Sequence, residues 1–136
     1  MTSQKWGRVR DCMKPGVTEV DGKLDVLSAM KVMKEVGATC LIVKRRDEHD
    51  EYGMLLFSDI AKKVIGPDRA PERVNVYEIM AKPVVTVKPD MHIRYCARLF
   101  ENFGIGHAPV EEDGKIIGIV SYYRLVLYGL KDLIDD

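Results

Sequence analysis

The side chains best suited to hold a metal or to act as nucleophiles are three cysteines, Cys12, Cys40 and Cys96, and three histidines, His49, His92 and His107. Their spacing argues against both roles. The histidines show no zinc-site spacing with the cysteines. The cysteines are odd in number and widely separated, with no C-x-x-C pair and no disulfide framework. Cys40 lies in an apolar strand-like run and Cys96 in a helical one, so both read as buried thiols. The chain holds no G-x-S-x-G, no P-loop and no G-x-G-x-x-G. The pair Gly104-x-Gly106 follows a helix, the wrong context for a dinucleotide fingerprint. No nucleophile, base and orienting group can be assembled from spacing alone, so the expectation is a protein that is not an enzyme. Lys44-Arg45-Arg46 followed by Asp47-Glu48-His49-Asp50-Glu51 is a charged hairpin. It could bind a metal or an anionic partner, but a solvated loop is the plainer reading.

Composition narrows the class. With 46% hydrophobic and 31% charged residues, the 136-residue chain reads as an ordinary globular protein. Lys plus Arg and Asp plus Glu are 21 each, giving no net charge. Phosphate contacts in nucleic-acid binding draw on a basic excess, so DNA or RNA is not expected as the main ligand. Met1 to Asp11 is polar, without the apolar centre of a signal peptide. No run approaches the roughly 18 apolar residues of a membrane span. The expected setting is cytoplasmic and reducing, with no membrane partner.

The elements that must position any site are written twice. Met13 and Met80 lie 67 positions apart, as do Val9 and Val76, Val17 and Val84, Val20 and Val87, Gly37 and Gly104, and Val43 and Val110. Further on the offset is 65, pairing Gly53 with Gly118 and Ile60 with Leu125. The two extra residues fall in Lys44 to Tyr52, a loop where insertion is cheap. Each copy reads as strand, helix, strand, strand, helix. In the first these are Val17–Val20, Leu24–Val36, Thr39–Val43, Tyr52–Phe57 and a helix from Ser58. In the second they are Val84–Val87, Met91–Phe103, Gly106–Val110, Lys115–Ser121 and Tyr122 to about Leu133. Gly37 and Gly104 stop helices, and Asp113-Gly114 is a hairpin signal. Gly66 to Glu72, with two prolines, reads as a linker. The expected division is a first repeat over 1–66, a linker over 67–74 and a second repeat over 75–136. Each copy is marginal alone, so the two are expected to pack sheet against sheet.

The runs V-V-T-V-K-P-D (Val84 to Asp90), G-I-G-H-A-P-V (Gly104 to Val110) and D-G-K-I-I-G-I-V-S (Asp113 to Ser121) resemble a cystathionine-β-synthase-type (CBS) domain. V-R-D-C-M (Val9 to Met13) and Y-G-M-L-L-F-S-D-I (Tyr52 to Ile60) fit the same template, so the resemblance covers nearly the whole chain. It implies a tandem pair, or Bateman module, standing alone: an α/β (α+β) fold of two pseudo-symmetric repeats, each a three-stranded sheet with two helices. It further implies adenosine-containing ligands in clefts between the repeats, dimers, and regulation of a partner.

An adenine nucleotide asks for a carboxylate on its ribose hydroxyls, cations, hydroxyls or a helix N-terminus at its phosphates, and an apolar slot for its base. The family's ribose motif is a glycine, two apolar residues, Ser or Thr, two variable residues and Asp. In the first copy, Gly53 to Asp59 keeps the Asp, next to Ser58, but has Leu56 in place of the hydroxyl. In the second, Gly118 to Arg124 keeps Ser121 but has Arg124 in place of the Asp. The site around Asp59 is the favoured one, against the alternative that Asp59 only caps a helix. The resemblance also implies His107, before Ala108-Pro109, as a phosphate contact; a structural histidine is the competing reading. Val17, Thr18 and Thr86 would border base and sugar, or serve as plain strand residues. Arg124 would hold a phosphate, or lie on a solvated helix face.

The resulting expectation is a homodimeric sensor that needs no cofactor, takes an adenine nucleotide (AMP first, with ADP, ATP, NAD or S-adenosylmethionine as alternatives) and signals to an unidentified regulated protein. Apolar faces on Leu24–Val36, Met91–Phe103 and Tyr122–Leu133 suggest the dimer surface. Met30 and Met33 would fill core gaps or that face. The alternative is a ligand-free CBS-pair scaffold acting through dimer or partner contacts.

Overall fold

The computed structural model describes residues 6–130 and 133. Along them run α1 (Val9–Cys12), β1 (Lys14–Pro15), β2 (Glu19–Val20), α2 (Val26–Val36), β3 (Cys40–Val43), β4 (Gly53–Leu56), α3 (Phe57–Ile60), α4 (Val76–Ile79), α5 (Ile93–Phe103), β5 (His107–Glu112), β6 (Lys115–Ser121) and α6 (Tyr122–Gly129). A π-helical turn, Ala61–Ile65, continues α3. The expected extension of α6 to Leu133 runs through residues 131 and 132, which lie outside the described residues.

These elements gather into two units. The first is Thr18–Val84; the second combines the described residues of Met1–Val17 and of Val85–Asp136. The units do not follow the boundaries expected at 66 and 75. β1, which lies in the expected first repeat, pairs antiparallel with β6 of the second. Val9 and Cys12 of α1 are buried in the second unit's core with Phe100 and Val120. Conversely, Val76 and Ile79 of α4 are buried in the first unit's core with Leu41 and Leu55. A four-residue helix cannot hold itself together, so each goes where its apolar face and backbone find partners. Val74, at the end of the expected linker, is also core, and its carbonyl accepts from the Val26 N–H at 2.8 Å.

In the first unit β2 runs parallel to β3, and β3 antiparallel to β4, with Cys40 opposite Leu56 at one end and Val43 opposite Gly53 at the other. Helix α2 buries Val26, Ala29 and Met33, spaced as one face. Its N-cap is Asp25, whose carboxylate accepts from the Ser28 N–H at 2.9 Å and the Ser28 hydroxyl at 2.7 Å. In the second unit the sheet order is β1-β6-β5, and α5 buries Ile93, Cys96 and Phe100 at the same spacing. Burial pushes the Cys96 thiol up to about 11 and raises Cys12 too, which makes both poor nucleophiles.

The repeat holds element by element. Helices α1 and α4 are 67 residues apart, as are α2 and α5, while α3 and α6 start 65 apart. Gly37 and Gly104 end α2 and α5 in the left-handed region, at φ 71° and 64°. Asp113 and Gly114 form the two-residue turn at φ 54° and 79°. One expected element is absent. Val84 to Thr86 is not a strand, and only Val87 bridges, parallel to Val110. Pro83 and Pro89 bracket the run, and a proline has no N–H for a ladder. Val87 alone is doubly bonded, donating to the Pro109 carbonyl and accepting from the Glu111 N–H.

A glycine in each unit marks where a short segment pairs closely with a sheet strand. A Cβ on Gly118 would lie 2.6 Å from the Lys14 carbonyl oxygen and 2.9 Å from Met13 Sδ. A Cβ on Gly53 would lie 2.6 Å from Met80 Sδ and 3.3 Å from the Ala81 carbonyl oxygen. Met80 and Ala81 stand 67 residues after Met13 and Lys14, so the same close pairing is built twice. Gly118→Ala should therefore force the β1 backbone off β6 and cost about 1–3 kcal/mol of stability. Chemical denaturation of the two proteins measures it; an unchanged midpoint and slope would remove the close pairing from this account.

Candidate functional site

Asp59 lies in the first turn of α3, just after β4 ends at Leu56. Its side chain is 15% exposed. One carboxylate oxygen, Oδ2, accepts from the Leu56 N–H at 2.9 Å, so Asp59 does cap its helix. The other, Oδ1, is 3.8 Å from Lys63 Nζ, an ion pair beyond hydrogen-bond distance. A carboxylate offers about four lone-pair sites, so the cap leaves acceptor capacity for ligand hydroxyls. Ser58 beside it is exposed and makes no side-chain hydrogen bond among the described residues.

The corresponding turn of the second unit is differently committed. Ser121 is the N-cap of α6, its hydroxyl accepting from the Arg124 N–H at 3.3 Å. The Arg124 guanidinium donates to the Cys12 carbonyl at 2.6 Å and the Met13 carbonyl at 3.4 Å, and it lies 4.4 Å from the Tyr128 ring centroid. Arg124 is thus not on a solvated face: it satisfies the orphan carbonyls at the end of α1. In the first unit Lys63 does this work, donating to the Ile79 carbonyl at 3.0 Å. Ile79 stands 67 residues after Cys12, but Lys63 is one turn beyond the counterpart of Arg124, which is Asp59. Sequence reading missed Lys63, and its only signal was a cation four residues after Asp59.

The remaining candidates fall into the two units. His107 begins β5 opposite Ser121, half-buried, and burial pushes its imidazole below the ordinary value of 6.5. Pro109, two residues on, is buried opposite Ile119. Thr86 and Val17 are half-buried outside strands. Thr18 belongs to the first unit, and its carbonyl accepts from the Ile42 N–H at 2.9 Å. Thr18, Ser58 and Asp59 belong to the first unit; the other six belong to the second.

The charged hairpin is not simply solvated. The Asp50 side chain is 7% exposed, 2.8 Å from Lys82 Nζ and 3.0 Å from Arg46 Nε. The Arg46 guanidinium and the Lys82 ammonium hold this carboxyl well below the usual range. Among the described residues no group of three or more His, Cys, Asp or Glu converges as a metal site, and no helix is long and apolar enough to cross a membrane.

The family model described as CBS domain matches residues 76–131. A hexameric CBS-CP12 protein from bloom-forming cyanobacteria superposes with a TM-score of 0.89 at 35% identity, over 93% of this chain and 70% of that one. An uncharacterised protein of Methanopyrus kandleri is 35% identical over 91 residues, which is 65% of this chain and 45% of that protein. Homoserine O-acetyltransferase of Methanosalsum zhilinae is 34% identical over 113 residues, 82% of this chain but 22% of the enzyme. The chain spans about half the length of the first two curated relatives it matches. The paired repeat, its closely packed glycines and the likeness to a CBS protein along nearly the whole chain place this protein in the CBS-domain family.

Proposed function

We propose that the chain is a regulatory module that binds an adenine nucleotide, AMP foremost, through Asp59 of the first unit, and that a partner protein reads the liganded state. The observation that carries the proposal is the Asp59 carboxylate: little exposed, anchored through one oxygen, with acceptor capacity left on the other. Held in this way it is preorganised for a pair of vicinal hydroxyls, so little side-chain entropy is lost on binding. Ser58 and Thr18 stand on the same unit as further polar contacts. ADP, ATP, NAD and S-adenosylmethionine share the adenosine group and are the alternatives.

A second reading rests on the opposite observation. Ser121 and Arg124 are used up in capping α6 and α1, and no carboxylate stands at that turn. If Asp59 too is only a cap, the module is a scaffold that acts through dimer or partner contacts. Apolar side chains supply a surface for self-association: Met30, Phe57 and Ile65 are exposed around a cavity of about 660 Å³ on the first unit. We propose a homodimer on such a face, and the CBS-CP12 relative is itself described as hexameric. Light scattering over a wide concentration range should give at least twice the chain mass; a monomer throughout would end that proposal.

For the ligand, the test is thermal unfolding with each of the five adenosine compounds, on the native chain and on Asp59→Asn. Asparagine keeps a carbonyl oxygen for the Leu56 N–H and removes the charge, so the cap survives. A nucleotide at about 100 times its dissociation constant should add about 2.7 kcal/mol, a rise of several degrees, lost in the variant. No shift with any compound, or the same shift in Asp59→Asn, rules out the proposed site.

A further inference from the structure

At the Val43–Gly53 end of the β3–β4 pair, roughly 10 Å from the Leu56 end where Asp59 stands, the first unit has a cavity of about 840 Å³. Five cationic side chains line it: Lys23, Lys44, Arg45, Arg46 and Lys82. Asp21 is the one acidic residue in the lining, and its Oδ1 already accepts from the Lys23 N–H at 2.8 Å. Asp50, from the loop behind, neutralises Arg46 and Lys82. Five cations against these two carboxylates leave an excess of three positive charges. Lys23 and Lys44 have no ion pair among the described residues, and Arg45 rests only on the Tyr52 ring at 4.9 Å. Tyr77, 53% exposed, adds an aromatic wall.

The second repeat shows what these positions do when the protein supplies both signs. Lys23, Lys44 and Arg45 correspond, at the 67-residue offset, to Asp90, Glu111 and Glu112. There, Arg10 lies 3.3 Å from Asp90 and 3.1 Å from Glu112, and Lys88 lies 2.8 Å from Glu111. Every one of the three acids is paired within its own unit. In the first unit the signs are inverted, and the counterpart of Arg10 is Tyr77, which carries no balancing charge. Lys88 has Asp21 as its counterpart, so one counter-charge is kept and the one that Arg10 supplies is lost, with space in its place.

We infer that this cavity is an anion site, separate from the Asp59 turn, for a small molecule carrying an oligophosphate, free or on an aromatic group. Clustered cations hold several phosphate oxygens by charge-assisted hydrogen bonds, and a concave space of this volume is in the range of small-ligand sites. Tyr77 offers a face for an aromatic group on the phosphate, as in a nucleoside triphosphate.

Calorimetric titration of the Asp59→Asn protein with inorganic tripolyphosphate, and separately with ATP, tests the inference without the ribose site. Saturable binding of tripolyphosphate is expected, weakened roughly tenfold or more in Lys44→Glu/Arg45→Glu. Both residues are exposed, and the variant places at these positions the residues of the second repeat. ATP tighter than tripolyphosphate would assign an aromatic subsite to Tyr77; equal affinity would assign phosphate alone. No saturable binding of either, or affinities unchanged in the double variant of confirmed fold, would overturn the site.

Discussion

In each unit a short backbone segment pairs alongside a sheet strand and packs closely against that strand's glycine. At Gly118 a single methyl group would strike the backbone of that segment, and at Gly53 it would meet the Met80 sulfur, with the Ala81 carbonyl oxygen 3.3 Å away. The segment brings in a four-residue helix, too short to persist alone, whose last carbonyls need a donor. That need sets the chemistry of the neighbouring turn. Where Arg124 supplies the donor, the turn is spent on structure. Where Lys63 supplies it from one turn further along, the equivalent position is released to hold Asp59. The two turns therefore differ in which position supplies the donor to the short helix: Arg124 in one, Lys63 in the other, which leaves Asp59 to cap its own helix.

The same duplication explains the electrostatics. Two copies of one scaffold present the same positions in the same places, and substitution has given them opposite signs. The second unit closes its acids with Arg10 and Lys88, while the first leaves cations facing open space. Salt screens such exposed charges, so they do little for stability, and an external anion has more to gain from them than the fold does. A chain with no net charge can thus carry a strongly basic cavity, and bulk composition gives no sign of it.

Most of the architecture was legible in the sequence because the repeat is encoded by apolar spacing and glycines, which report directly on buried faces and tight turns. Helices α2 and α5 and the Asp113-Gly114 turn fall where their patterns place them. The unit boundaries were not legible, since whether α1 joins the strands beside it in sequence or those of the other copy depends on backbone pairing that no periodicity records. Val84 to Thr86 failed for a local reason: β-branched residues favour a strand, but the flanking prolines deny it a ladder. At the site, the motif marked Asp59 and Arg124, but only coordinates could show that Arg124 serves α1. Lys63, Lys82 and Asp50 act through tertiary placement and carry no motif.

The Asp59 turn, not its counterpart at Arg124, is proposed to face the ligand. Backbone amide spectra of ¹⁵N-labelled protein titrated with AMP test this proposal residue by residue. The account expects saturable shifts clustered at Leu56 to Lys63 and at Thr18, with Ser121 to Leu125 little changed. Shifts centred on Ser121 to Leu125, or none at saturating nucleotide, would contradict it.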